Sequence, residues 1–242
     1  MKAKANLQLL NTTCFDSGEL GLIAMVIHSF TQPGHHRGTV FQHGEAVADF
    51  RFIVDETSDV TQLDIDLATI NRRAQGGIVD HECGCAPGNA PTPVVSPKGY
   101  VLLHATSGTG YSAKVASAEG KAMFDSTELN SGDLFALTLL EPAAYSAKNT
   151  LGKSSAEINV SLPADLNKRL TTMESINVTV DGRKFNPDRI QLISTQGLVF
   201  QIQECARIVI EKKPSGARKP EHKDGPRAHW QKFDAAAGKN AG

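Results

Sequence analysis

Apolar and polar residues alternate with a period of two through Val60–Leu67. Leu63, Ile65 and Leu67 fall on one face of an extended chain, and Gln62, Asp64 and Asp66 on the other. The two carboxylates therefore read as the solvent side of a strand. Runs rich in β-branched residues predict further strands at 46–54, 100–104, 111–116, 134–140, 156–161, 176–180, 197–203 and 207–210. Glycine-bearing links such as Ser107-Gly108-Thr109-Gly110 and Asn130-Ser131-Gly132-Asp133 separate them. The regular spacing predicts a mainly β protein of antiparallel sandwich units.

Helical signals are few. Residues 163–170 open with proline and carry Leu166 and Leu170 four positions apart, which predicts a short helix, and the chain can turn helical over 67–74 as its strand ends. Four prolines within Cys85–Pro97 mark a linker or an extended edge segment, because proline donates nothing to a ladder and stiffens the chain. Beyond Ile210 the chain turns basic, and Trp230 and Phe233 are its only large apolar residues. Such a segment buries too little surface to offset chain entropy and is expected to be a disordered tail. The expected organisation is an N-terminal β domain over 1–84, a proline-rich linker over 85–97, a β-sandwich domain over 98–210 and the tail over 211–242.

Two stretches carry a resemblance. Residues 177–190 read Asn-Val-Thr-Val-Asp-Gly-Arg-Lys-Phe-Asn-Pro-Asp-Arg-Ile and lead into Gly197-Leu198-Val199-Phe200. This resembles the opening of a cupredoxin-like domain, in which a strand and a Phe-x-Pro-x-x-Ile turn precede a valine-rich strand. The runs 129–135, 141–145 and 156–160 resemble the closing strands of cupredoxin-like or immunoglobulin-like domains. The resemblance implies a fold and not copper electron transfer. Cys205 is followed by Ala-Arg-Ile-Val-Ile, without the histidine and methionine that a blue-copper centre needs at ligand spacing.

The formal charge of −1 argues against nucleic acid as a partner except through the basic tail. No run reaches the roughly 18 apolar residues of a membrane span, and no signal peptide is read at the N-terminus. Four cysteines in 242 residues are not a disulfide framework, so a cytoplasmic location with reduced thiols is expected. Cys14 and Cys205 read as small buried hydrophobes.

The sharpest chemistry lies early. His81-Glu82-Cys83-Gly84-Cys85 places an imidazole and two thiols at alternate positions, which an extended chain projects to one side. Zinc or copper(I) favours these ligands, with a fourth from His35, His36 or His43, which flank an expected hairpin. The competing reading makes His35-His36 a solvated turn after Pro33-Gly34. His28, at the end of an apolar strand, reads as a satisfied rim residue rather than a ligand. No glycine-rich phosphate loop or serine elbow is present. In the tail, Arg227, Trp230, Lys232 and Phe233 set aromatics among bases, a pattern that suits docking on a protein partner. The expected function is a non-enzymatic binding or assembly protein that engages protein partners or itself. The alternative is a zinc or copper protein using the His-x-Cys-x-Cys cluster, extended to a metal-dependent enzyme if a coordination position stays open.

Overall fold

The computed structural model describes residues 12–76, 92–163 and 173–214. Strand makes up 53% of them, so the protein is mainly β. In chain order the strands are β1 (Cys14–Asp16), β2 (Ala24–His28), β3 (Gly34–Gln42), β4 (Glu45–Val54), β5 (Gln62–Asp66), β6 (Val94–Val95), β7 (Tyr100–His104), β8 (Tyr111–Ser117), β9 (Ala122–Asp125), β10 (Leu134–Thr138), β11 (Ala144–Asn149), β12 (Ser155–Ser161), β13 (Ile176–Val180), β14 (Phe185–Asn186), β15 (Arg189–Ile193), β16 (Gly197–Ile202) and β17 (Ile208–Lys212). Among the described residues one helix forms, α1 (Leu67–Ala74), directly after β5. It is neither long nor apolar enough to cross a membrane.

Three sheets result. The first has the order β1-β17-β11-β12-β15, the second β14-β13-β16-β10-β2-β7-β5 and the third β6-β4-β3-β8-β9. Alternate side chains enter a common core. In β12, Ala156, Ile158 and Val160 are buried between exposed neighbours, and in β5 it is Ile65. Buried residues from all three sheets form one apolar cluster. Burial of this continuous surface is the main favourable term holding the sheets together.

The sheets are mixed, not antiparallel throughout. Four ladders are parallel: β4 with β6, β5 with β7, β12 with β15 and β13 with β16. The cause is visible in the chain path. From β4 to β7, successive strands step from the third sheet to the second, back and across again. The strands β12, β13, β15 and β16 repeat this between the first sheet and the second. A chain that crosses between sheets at each turn brings strands two apart into one sheet in the same direction, whereas a hairpin pairs neighbours antiparallel. The second sheet also draws strands from both sides of residues 85–97, since β2 pairs with β7 and with β10.

Particular strand assignments agree with the sequence reading at 100–104 and 176–180. The helix at 67–74 forms as expected. Within the proline-rich segment, Val94–Val95 is the edge strand of the third sheet. The expected helix at 163–170 lies outside the described residues beyond Pro163.

Candidate binding face

A concavity of about 1050 Å³ lies against the third sheet. It is built on the β3–β4 hairpin. At the hairpin tip His43 and Gly44 have φ of 51° and 83°, the two positive values that a two-residue turn matched to strand twist demands. Along β3 the alternation then sorts side chains: His36, Gly38 and Val40 are buried, while His35, Arg37, Thr39 and Phe41 are not. Gly38 faces Phe50 across the ladder. A Cβ on Gly38 would lie 2.0 Å from the Phe50 ring, so the glycine is what lets that ring cover the strand.

The outward side chains pair with one another. Arg37 donates to Asp49 at 2.6 Å and Thr39 to the other carboxylate oxygen at 2.8 Å. On the neighbouring strands Lys114 meets Asp125 at 2.9 Å, and its ammonium also stands 5.8 Å from the Phe41 ring centroid. The Arg37 hydrogen bond, seconded by Thr39, holds the Asp49 carboxyl below its ordinary range. Burial pushes the Asp125 carboxyl up, but hydrogen bonds from Thr127 and Lys114 outweigh it and leave the group lowered. Arg51 stands directly opposite Arg37, and its side chain makes no hydrogen bond or ion pair among the described residues, though its charge also helps lower the Asp49 carboxyl. The concavity is thus lined by three cations, Arg37, Arg51 and Lys114, with the Asp125 carboxylate, over small residues, Ala116, Ala118, Gly120 and Ala122.

Behind this face lies a chain of rings. His36, 4% exposed, stacks on Phe52 at 5.1 Å and 12°. Its Nε2 donates to the Gln32 carbonyl at 3.2 Å, and its Nδ1 is buried with no partner among the described residues. His28 packs between Phe30 and Phe124 with centroids 4.4 and 4.5 Å away. Its Nδ1 donates to Asp133 at 2.5 Å, and the other Asp133 oxygen accepts the Asn130 amide. His28 is therefore a satisfied rim residue, as its sequence position suggests. The pair is cross-strand in origin, because β2 and β10 align Ile27 with Leu134, one step before His28 and Asp133.

Of the expected metal ligands, His81, Cys83 and Cys85 lie outside the described residues, as do Arg227, Trp230, Lys232 and Phe233 of the expected partner anchor. His35 and His36 are adjacent on β3 and fall on opposite faces. His43 sits at the far end of the hairpin, seven residues or roughly 23 Å from His36 at strand rise. Its amide donates to the Gly110 carbonyl, and its ring lies where a Cβ on Gly110 would fall. The fold thus brings none of these three histidines together. Among the described residues no three His, Cys, Asp or Glu side chains are placed to share a metal ion.

Three readings are corrected. Cys14 and Cys205 are exposed, not buried. Cys14 alternates with inward Phe15 on β1 and so faces out. Cys205 lies in the bend before β17, where local desolvation and the neighbouring Glu128 carboxylate push its thiol up to about 11. Asp64 is exposed on its strand, but Asp66 is not a solvent-face residue. It caps α1, accepting from the Ala68 amide and the Thr69 hydroxyl, and it also accepts from the Thr106 amide and hydroxyl. The strand ends at Asp66, so its carboxylate turns to meet the unpaired N–H groups of the helix start. Sequence reasoning missed Arg37, Arg51 and Lys114. The signal for Arg37 was the alternation within 35–41, overshadowed by the paired histidines, and Arg51 and Lys114 sit between buried neighbours on β4 and β8.

Compared with protein-family models, characterised proteins and solved structures, the chain matches none.

Proposed function

We propose that the chain is a cytoplasmic, non-enzymatic β-sandwich binding protein that assembles with protein partners, including further copies of itself. The observation that carries this reading is the open outer face of β3, β4, β8 and β9. Arg37 and Lys114 are braced by ion pairs to Asp49 and Asp125 on a hydrogen-bonded ladder, so these side chains are held in place before anything binds. That favours macromolecular contact, since less side-chain freedom remains to be lost. The sandwich assignment is supported by the two sets of strands that step between sheets over one apolar cluster. The tail residues Arg227, Trp230, Lys232 and Phe233 supply a second partner contact in this reading.

Sedimentation equilibrium over a hundredfold dilution range tests it. The expected result is a mass well above the 25.9 kDa of one chain that falls on dilution. A strict monomer at every concentration would remove self-assembly from the proposal. The alternative of a zinc or copper protein rests on His81, Cys83 and Cys85. In that reading one of His35, His36 and His43 supplies the fourth ligand. Metal analysis beside the Cys83→Ser/Cys85→Ser variant separates the two readings. Binding through the sheet face predicts an unchanged mass and unfolding midpoint in that variant, whereas about one bound metal per chain, lost with the thiols, would favour the cluster.

A further inference from the structure

We infer that the occupant of the concave face is the acidic loop 55–61 of a second copy of this chain, exchanged reciprocally about a two-fold axis. The inference rests on the assembly reading above and names its interface.

The loop is ordered by its own short-range hydrogen bonds. Asp55 accepts from the amide and hydroxyl of Thr57, each at 2.8 Å, and the Ser58 hydroxyl accepts the Val60 amide at 3.2 Å. Its far end is pinned by the Ser96 amide on the Val60 carbonyl and the Tyr100 amide on the Thr61 carbonyl. What it presents outward is uncommitted. Glu56 and Asp59 make no hydrogen bond or ion pair among the described residues. Val60 is 46% exposed, one of four large apolar side chains left open among those residues.

The concave face offers the complement. Arg51 has no ion-pair partner among the described residues and faces Asp49 only through space. Arg37 and Lys114 flank it while paired to Asp49 and Asp125, and the small-residue floor of Ala116, Ala118 and Ala122 has room for an aliphatic side chain. Opposite charges facing each other steer encounter and fix register, and one apolar residue on a small-residue floor adds burial. The loop cannot serve its own face, because the hydrogen bonds to Ser96 and Tyr100 hold it at the end of β4. Face and loop lie on one stretch of chain, with Arg51 and Asp55 four residues apart, or roughly 13 Å at strand rise. A two-fold axis passing between them sets each loop on the other copy's face, the self-complementary arrangement of an isologous dimer.

Charge exchange tests this with two variants at exposed positions. Arg51→Glu/Lys114→Glu makes the face acidic against an acidic loop, and Glu56→Lys/Asp59→Lys makes the loop basic against a basic face. Circular dichroism first establishes that each is folded, and sedimentation then gives its mass. The expected result is a wild-type dimer, each variant at one-chain mass, and a dimer restored on mixing the two, because both contacts are again complementary in the mixed pair. Raising salt from 0.05 to 0.5 M should shift the wild type towards monomer as screening tightens. A wild type that assembles while either variant assembles equally well overturns this interface and leaves the assembly reading standing. Two monomeric variants that fail to combine overturn the pairing of loop with face. A monomeric wild type overturns both.

Discussion

At the residue scale, two positions show how one side chain settles local structure. Gly38 is required because the Phe50 ring occupies the place of its Cβ. Gly38→Ala should therefore cost about 1–3 kcal/mol as the ring is displaced, read as a lower midpoint in urea, and Phe50→Leu in the same chain should recover part of the loss. Asp66 ties the start of α1 to residue 106. Burial pushes its carboxyl up, but hydrogen bonds from Thr106 and Thr69 prevail and hold it below its ordinary value of 3.8. A carboxyl depressed on folding contributes its stability in full above the unfolded value and loses it as pH falls through the folded one. Asp49 and Asp125 are shifted the same way. Stability should thus be level above about pH 5 and fall below about pH 4, and Asp66→Asn should flatten that fall. Asp66→Ala should cost about 1–2 kcal/mol at pH 7 through the lost cap. An acid limb as steep in Asp66→Asn as in the wild type would show that the carboxylate is not the source. The alternation around Asp64 was legible in the sequence, but the capping role of Asp66 was not. The pattern marks which face a strand residue takes, and only the turn of the chain brings Thr106 and the helix amides to that carboxylate.

At the element scale, strands were legible wherever their two faces differ. β12 alternates buried with exposed positions, β13 and β7 alternate buried with half-buried or exposed ones, and the sequence pattern finds all three within a residue. β1 and β14 are three and two residues long, too short for any period to register. What holds β1 is specific instead. Arg207, just before β17, forks onto Asp16 through Nε at 2.9 Å and Nη2 at 2.7 Å, with Glu19 at 3.4 Å. The Asp16 hydrogen bonds raise the guanidinium above its ordinary range. Gly18 leaves room for the fork, since a Cβ there would lie 2.6 Å from Nε. Lysine keeps the charge but not the planar pair of donors. Arg207→Lys should cost about 1–2 kcal/mol, between the values for exposed and buried pairs. Amides of 14–16 should exchange faster with solvent while those of β12 keep their protection. Uniform loss of protection across all three sheets would mean that the fork supports the whole fold rather than this edge.

At the scale of the whole molecule, the partners of each strand were the least legible feature. A strand's face is written in its own residues, but its neighbours depend on which turns are hairpins and which cross between sheets. The crossing connection after β4 contains ordinary turn residues, Asp55 to Thr61, and its parallel ladder follows from path alone. The longest connection is β1 with β17, where Cys14 aligns with Glu211. Closing a loop of that size costs chain entropy before its contacts return anything, so a topology of this kind folds slowly, on the order of milliseconds to seconds. The short β1 edge adds little to a nucleus and is expected to dock last. Phe15 is its one buried anchor. Phe15→Leu, at a cost of about 1 kcal/mol, should then speed unfolding about fivefold and leave refolding unchanged, because a contact absent from the transition state acts on unfolding alone. Stopped-flow chevrons of wild type and variant decide the matter. A refolding limb slowed by that same factor would place the joining of β1 to β17 in the rate-limiting step, and folding would then wait on the two most distant strands finding each other.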